Sequence, residues 1–253
     1  MMQFIGRMLA AYLNRSDPKN QSVETSSLVS VLPALKRGDV LLVEGNSKIS
    51  QGIKYLTQST WSHAALYIGE TLFPGSQGLP EPALVEADVR DGVRLIPVSY
   101  YASFHTRICR PVGLKDADID RVVAYAMQSI GHQYDLKNIV DLARYLLPTP
   151  PVPQRWRRRM IALGSGDPTQ AICSSLIAKA FQHVRYPILP DIEQIDRQDP
   201  NCVRCRKEIL HIRHYSLFTP RDFDVSPYFQ IIKPRLAMGF DPYGVTWSTG
   251  MLE

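Results

Sequence analysis

The segment from Thr169 to Phe181 constrains the fold most, because it reads as an apolar helix that must be buried and it carries a cysteine near its front. Ile172, Leu176, Ile177, Ala180 and Phe181 recur at helical spacing, so one face belongs in a core while Cys173, Ser174 and Ser175 sit near the start. A thiol placed there lies in the positive field of the helix dipole and near free backbone N–H groups, which favour the reactive thiolate. The alternative is a small buried hydrophobe, the ordinary fate of a free cysteine. Either Asp167 or Thr169 can cap the helix, and Thr169 brings Cys173 closer to the dipole.

Two other segments bear on that choice. Trp61 to Gly69 reads as a glycine-closed strand, with Trp61, His63, Ala65 and Tyr67 on one face and Ser62, Ala64, Leu66 and Ile68 on the other. Ala83 to Asp88 reads as a second strand, in which Glu86 interrupts an apolar run. A half-buried carboxylate is costly without a partner, and a histidine on the neighbouring strand would serve. Taken singly, His63 could be a satisfied core residue and Glu86 a solvent-facing edge residue. Asp91-Gly92 then turns the chain into Val93 to Val98, as in an antiparallel hairpin.

The remaining pattern fills out one domain. Val40 to Val43 is a short apolar β-run after a turn at Lys36 to Asp39, and residues 46 to 58 keep helical spacing through Ile49, Ile53 and Leu56. Arg107 to Pro111 is the next strand, with Cys109 as packing, and Asp116 to Ile130 is a helix with acids at its start. A turn carrying Tyr134 and Asp135 leads into a helix that the prolines from Pro148 to Pro153 end. Residues 185–199 show no sustained period, and Gln230 to Lys233 closes the domain as a strand. The expected organisation is an amphipathic helix and polar linker over 1–27, a domain over 28–233 with a Pro/Arg-rich loop at 148–168 and an insertion at 185–215, and a loosely held tail at 234–253.

Charge narrows the partners. Lys and Arg number 29 against 24 Asp and Glu, and four of the cations are Arg155, Arg157, Arg158 and Arg159 around Trp156. Without them the balance is 25 to 24, so the basic character is one local patch, which argues only weakly for nucleic acid and better for an anionic surface or partner; no nucleic acid is expected. Met1, Phe4, Ile5, Met8, Leu9 and Tyr12 form an apolar helical stripe that could lie on a bilayer with Arg7 and Arg15 near headgroups, or dock on its own domain. Cys109, Cys173, Cys202 and Cys205 do not look like a disulfide framework, and no secretory signal or membrane span is evident, so the expected location is cytoplasmic, with a peripheral place at a membrane as the variant. Cys202 and Cys205 with His211 and His214 could hold zinc, yet the separation is shorter than in the usual finger, and a charged surface segment is the alternative. No cofactor is expected.

Together, His63, Glu86 and Cys173 are the parts of a thiol hydrolase: base, orienter and nucleophile. The Cys173 backbone N–H, at a helix start, could donate to an oxyanion. Gly38-Asp39 with its strand, the run from Trp61 to Gly69, Leu84 to Ala87, Gly131 to Leu136 and Ile172 to Ile177 resemble the circularly permuted branch of the NlpC-type, papain-like cysteine hydrolases, the YiiX-like proteins. The order His, acid, Cys is the most specific feature of the resemblance, which covers residues 30–232. It implies an α+β fold with an antiparallel sheet packed on the cysteine helix. It also implies hydrolysis of amide bonds in peptides or cell-wall peptides, or of acyl groups in lipid-directed branches. It assigns Cys173, His63 and Glu86 the roles above, and suggests Tyr134 as a site-lining residue and oxyanion donor. The Pro/Arg-rich loop and the Cys/His segment have no counterpart in that pattern. A non-catalytic binding module keeping the same fold is the remaining alternative.

Overall fold

The computed structural model describes residues 28–73, 78–88, 91–132, 172–196, 206–237 and 239–244, with the side chains of 172, 193–196 and 206–209 outside the description. The expected N-terminal helix, Tyr134, the Pro/Arg-rich loop, Cys202, Cys205 and both helix-cap alternatives before Ile172 lie outside these residues.

A six-stranded sheet organises the domain in the order β4-β3-β2-β1-β5-β8. Its strands are β1 (Val40–Val43), β2 (His63–Thr71), β3 (Glu81–Asp88), β4 (Gly92–Pro97), β5 (Thr106–Pro111) and β8 (Phe229–Ile232), and every neighbouring pair is antiparallel. Around it lie α1 (Leu28–Ala34), α2 (Lys48–Thr57), α3 (Asp116–Gln128), α4 (Ile172–His183), α5 (Pro220–Asp224) and α6 (Pro234–Ala237). This is the α+β arrangement expected from the sequence.

β1 is buried at all four positions because both faces of the sheet are covered there. Val40 and Leu42 join Ala64, Leu66, Val85 and Cys109 against Val122 and Val123 of α3 and Ile177 and Phe181 of α4. Leu41 and Val43 join Ala65, Tyr67, Leu84 and Ile108 beneath Val31 and Ala34 of α1. The turn into β1 is fixed by charge and by space. Asp39, 1% exposed, accepts from Arg110 Nε at 2.8 Å and Nη2 at 2.7 Å and from the Lys36 N–H at 2.8 Å. Gly38 has φ +90°, and a Cβ there would stand 2.9 Å from Ile119 Cγ2, so a glycine is required.

Several elements differ from expectation. β2 starts at His63, not Trp61, and Trp61 packs in the cluster of Ala64 and Leu66 on the opposite side from the one alternation assigns it. The reason is local: residues 61 and 62 are not strand, so the two-residue period does not extend back to them. Residues 185–199, which show no period, contain β6 (Asp191–Asp196), paired with β7 (Arg206–His211) as a separate two-stranded ribbon. Its register runs from Asp191 opposite His211 to Asp196 opposite Arg206, a pairing that alternation of apolar residues does not reveal. The segment after Pro234 is not patternless either, since α6 packs against α1. Among the described residues no helix is long and apolar enough to cross a membrane.

Candidate active site

His63 is the first residue of β2, and Glu86 lies opposite Ala65 on β3. The two are therefore diagonal neighbours on one face, within reach of a long side chain. Their contact is direct: His63 Nε2 and Glu86 Oε2 are 2.8 Å apart. The approach to His63 is held by Gly45, whose N–H donates to Ser62 Oγ at 2.8 Å and whose added Cβ would meet Ser50 Oγ at 2.3 Å.

Glu86 is 1% exposed and fully engaged. Its Oε1 accepts from Arg94 Nε at 2.8 Å and forms an ion pair with Arg94 Nη2, also at 2.8 Å, a two-pronged clamp from β4. Tyr101 Oη donates to Oε2, the oxygen that also meets His63. Tyr101 is itself wedged by edge contacts with Tyr100 at 5.1 Å and Phe104 at 5.4 Å, and Arg94 sits over the Tyr100 ring. Burial works to raise the Glu86 pKa, but His63, the Tyr101 hydroxyl and the Arg94 charge outweigh it and hold the carboxyl at about 2.

Cys173 reaches this pair from the front of α4 and is 4% exposed. Tyr67 N–H donates to Asp39 on the β1 side, so alternation directs Ala64 N–H to the β3 side. There the β2–β3 pairing begins only at Ala65 and Glu86, and no strand meets Ala64. Cys173 takes that place: the Ala64 N–H and the His63 side chain both lie near enough to its sulfur to favour the thiolate. With Nε2 committed to Glu86, the ring nitrogen facing the sulfur is Nδ1. Ser174 Oγ lies 3.8 Å from the sulfur.

Electrostatics couple the three. Burial opposes ionisation of Cys173, but the His63 charge and hydrogen bond and the Ala64 N–H lower its pKa below the ordinary thiol value. Burial likewise opposes protonation of His63, yet the Cys173 and Glu86 charges raise its pKa well above the usual imidazole value. The opposed directions belong to one coupled pair, in which each group favours the charged form of the other. His63 keeps 19% of its side chain exposed, and Cys173 beside it is nearly closed off.

The structure brings Cys173, His63 and Glu86 together, and Tyr134 is outside the described residues. His211 and His214 are exposed, and among the described residues no group of three metal-ligating side chains occurs. Arg94 and Tyr101 were missed in the sequence. Arg94 was findable: a hairpin turning at Gly92 pairs Asp88 with Gly92, which puts residue 94 across from residue 86. Tyr101 carries no such signal, because it follows β4 in a 3-10 turn whose path the strand pattern does not set.

Residues 34–145 match the model of a family described as permuted papain-like amidase enzymes, YaeF/YiiX, the C92 peptidases. That stretch includes His63 and Glu86 and ends before Cys173. No curated protein is similar enough in sequence to match. Among solved structures, the chain is similar to the metalloprotein yiiX from Escherichia coli O157:H7, with 14% identity and a TM-score of 0.47 over 79% of this chain and 97% of that one. A likeness so distant carries no residue-by-residue correspondence.

Proposed function

We propose, from the likeness of residues 34–145 to the permuted papain-like amidases, that the chain cleaves an amide bond through an acyl-enzyme on Cys173, with His63 as proton carrier and Glu86 as its orienter. The observation that supports this reading is the 2.8 Å contact of Glu86 Oε2 with His63 Nε2, on a ring that is itself electrostatically coupled to the Cys173 thiol. The thiolate attacks the carbonyl carbon, forming the C–S bond and moving the carbonyl electrons onto oxygen. The Cys173 backbone N–H, at the front of α4, is the first candidate donor to that oxyanion, and Tyr134 is a second. Collapse breaks the C–N bond as His63 gives its proton to the departing amine. Water then attacks the thioester, His63 takes its proton, and the acid leaves as the thiolate–imidazolium pair is restored.

Glu86 acts through the ring. Bound to Nε2, it fixes the rotation that aims Nδ1 at sulfur and offsets the imidazolium charge. The substrate class proposed is a peptide, including cell-wall peptides, or another acyl amide. The test is activity profiling with thiol-reactive peptide, acyl and lipid probes on the native chain and Cys173→Ala. Labelling of Cys173 by peptide or acyl-amide probes supports the reading. A Cys173 no more reactive than Cys109 sinks it, and exclusive labelling by lipid probes moves the substrate to a membrane surface. Liposome sedimentation with and without residues 1–15 checks that variant independently.

A further inference from the structure

At the same end of the sheet, one strand pair beyond His63, lies a polar cleft of about 430 Å³ walled by Trp61, His105, Arg107, Arg221 and Asp224. Its charges do not cancel. Asp224 has both oxygens occupied, Oδ1 by Arg107 Nη1 at 2.6 Å and Oδ2 by Trp61 Nε1 at 3.1 Å. Behind His105, Glu44 lies 3.0 Å from both Lys54 Nζ and His105 Nδ1, so those neighbours are balanced among themselves. Arg221 is different: Nη1 donates to the Thr57 carbonyl at 3.1 Å, and no carboxylate stands within ion-pair distance of it among the described residues. The lining thus holds two guanidinium groups against one carboxylate, and one positive charge is left facing solvent.

The walls are also rigid, as a recognition site needs to be. Arg107 lies over the Trp61 ring at 4.9 Å, and His105 packs on the same ring at 4.9 Å. Arg221 is anchored through a backbone carbonyl at the end of α2, which leaves its fork aimed by the main chain and not by a mobile partner. Such a planar donor suits a carboxylate, and a net charge of one matches a monoanion better than a phosphate monoester, which carries nearly two.

The sheet supplies the distance to the sulfur. Ala64 pairs with Leu42, and Leu42 pairs with Arg107, so these three form one row across the sheet. Two strand spacings separate the ends of that row, about 10 Å. Ala64 is the residue whose N–H meets Cys173. The sulfur lies on the β3 side of Ala64, so a chain that reaches from it to the cleft is longer than this row, more than about three extended residues.

We propose that this cleft is a substrate subsite for a carboxylate, held by Arg221 and Arg107, and that it selects acyl amides bearing a carboxylate more than about 10 Å from the scissile carbonyl. The substrate part rests on the hydrolase reading; the binding part does not. Both are tested on the full chain. In the first arm, the Trp61 indole N–H resonance, assigned with Trp61→Phe, is followed in the Cys173→Ala protein during titration with acetate, inorganic phosphate or chloride at fixed ionic strength. Acetate is expected to saturate at low-millimolar concentration and to weaken about tenfold in Arg221→Ala, with partial recovery in Arg221→Lys. Arg221→Gln serves if the alanine variant does not fold. Shifts that match chloride, or that ignore Arg221, overturn the site, and saturation by phosphate alone overturns the carboxylate assignment.

In the second arm, Cys173 of the native chain is offered two peptide electrophiles more than about three residues long, one ending in a carboxylate and the other in its amide. Capture of the carboxylate form is expected to be about tenfold faster, with the preference lost in Arg221→Ala. Equal capture overturns the subsite's role in substrate choice. Capture of neither overturns the hydrolase reading, while the first arm still decides whether the cleft binds.

Discussion

Cys109 and Cys173 are buried alike, at 0% and 4% exposure, yet their surroundings push their thiols in opposite directions. Cys109 sits mid-strand in β5, paired across the sheet with Val40 and Ile231, and burial raises its pKa far above the ordinary value, with Asp224 adding to the rise. Cys173 suffers the same burial but faces an imidazole and a backbone N–H, and its pKa falls. Burial thus sets how costly an uncompensated charge is, and the partner decides whether the charge exists.

Exchanging the cysteines in turn breaks this comparison most sharply. Cys173→Ala is expected to lower amide hydrolysis at least about a thousandfold. Cys109→Ala is expected to keep hydrolysis and lose about 1 kcal/mol of stability, read by denaturant titration, through the small cavity it leaves. Comparable activity losses from the two would remove the distinction. His63→Ala asks whether the partner is the cause. Iodoacetamide alkylation of Cys173 should shift to higher pH and slow toward that of Cys109, because burial is then opposed only by the Ala64 N–H and Ser174. In the native chain alkylation should begin below the ordinary thiol range. Turnover should be lost again at alkaline pH, where the raised His63 pKa is passed and no proton remains for the leaving amine.

The same contrast explains what could be read from the residues alone. Alternation identified β2 and β3, and helical spacing identified α4, because each buries a face and burial imposes a period. Placing His63 beside Glu86 needed only the idea that a buried carboxylate requires a partner. The face of Trp61 was misread because side-chain alternation holds only while backbone angles stay extended, and residues 61 and 62 leave the strand. The β6–β7 ribbon escaped because it stands apart from the main sheet: Ile192 and Leu210 pair with each other and stay 50% and 38% exposed, so no core wrote its period into the sequence. Tyr101 and the Arg221 cleft depend on where turns bring distant residues, which no local pattern records.

A smaller effect is expected where the partner's partner is changed. Glu86→Gln keeps the shape but removes the charge that stabilises the imidazolium, and it should reduce hydrolysis on the order of a hundredfold. It also carries a stability signature with a definite sign. The folded pKa of about 2 lies below the unfolded value near 4.5, so the contribution is complete above pH 4.5 and fades as pH falls toward 2. The linked free energy is on the order of 3 kcal/mol for a shift from 4.5 to about 2. Acid titration of the native chain should show this loss, and Glu86→Gln should flatten it over the same interval. A native curve without the acid slope would mean that Glu86 is not held as an ion.

The smallest change sharpens the comparison further, because Arg94 and Tyr101 act chiefly by holding Glu86, Tyr101 also lying with its ring 6.0 Å from that of His63. Arg94→Ala leaves a buried carboxylate with Tyr101 and His63 as its remaining side-chain partners, so the Glu86 proton becomes easier to bind and the acid slope should move to higher pH. Tyr101→Phe removes one neutral donor and should move it less. Rates should fall about three- to tenfold for either change, chiefly in kcat, since neither residue belongs to the cleft that would bind substrate. A purely structural loss would lower the melting temperature and the amount of active protein without shifting any pH profile. Arg94→Lys discriminates between the two explanations. A single ammonium restores charge but not the two-pronged contact with Oε1, so the acid slope should return toward that of the native chain while the rate recovers only in part. If the lysine variant restores neither, the guanidinium is packing and the charge on Glu86 is kept by His63 alone.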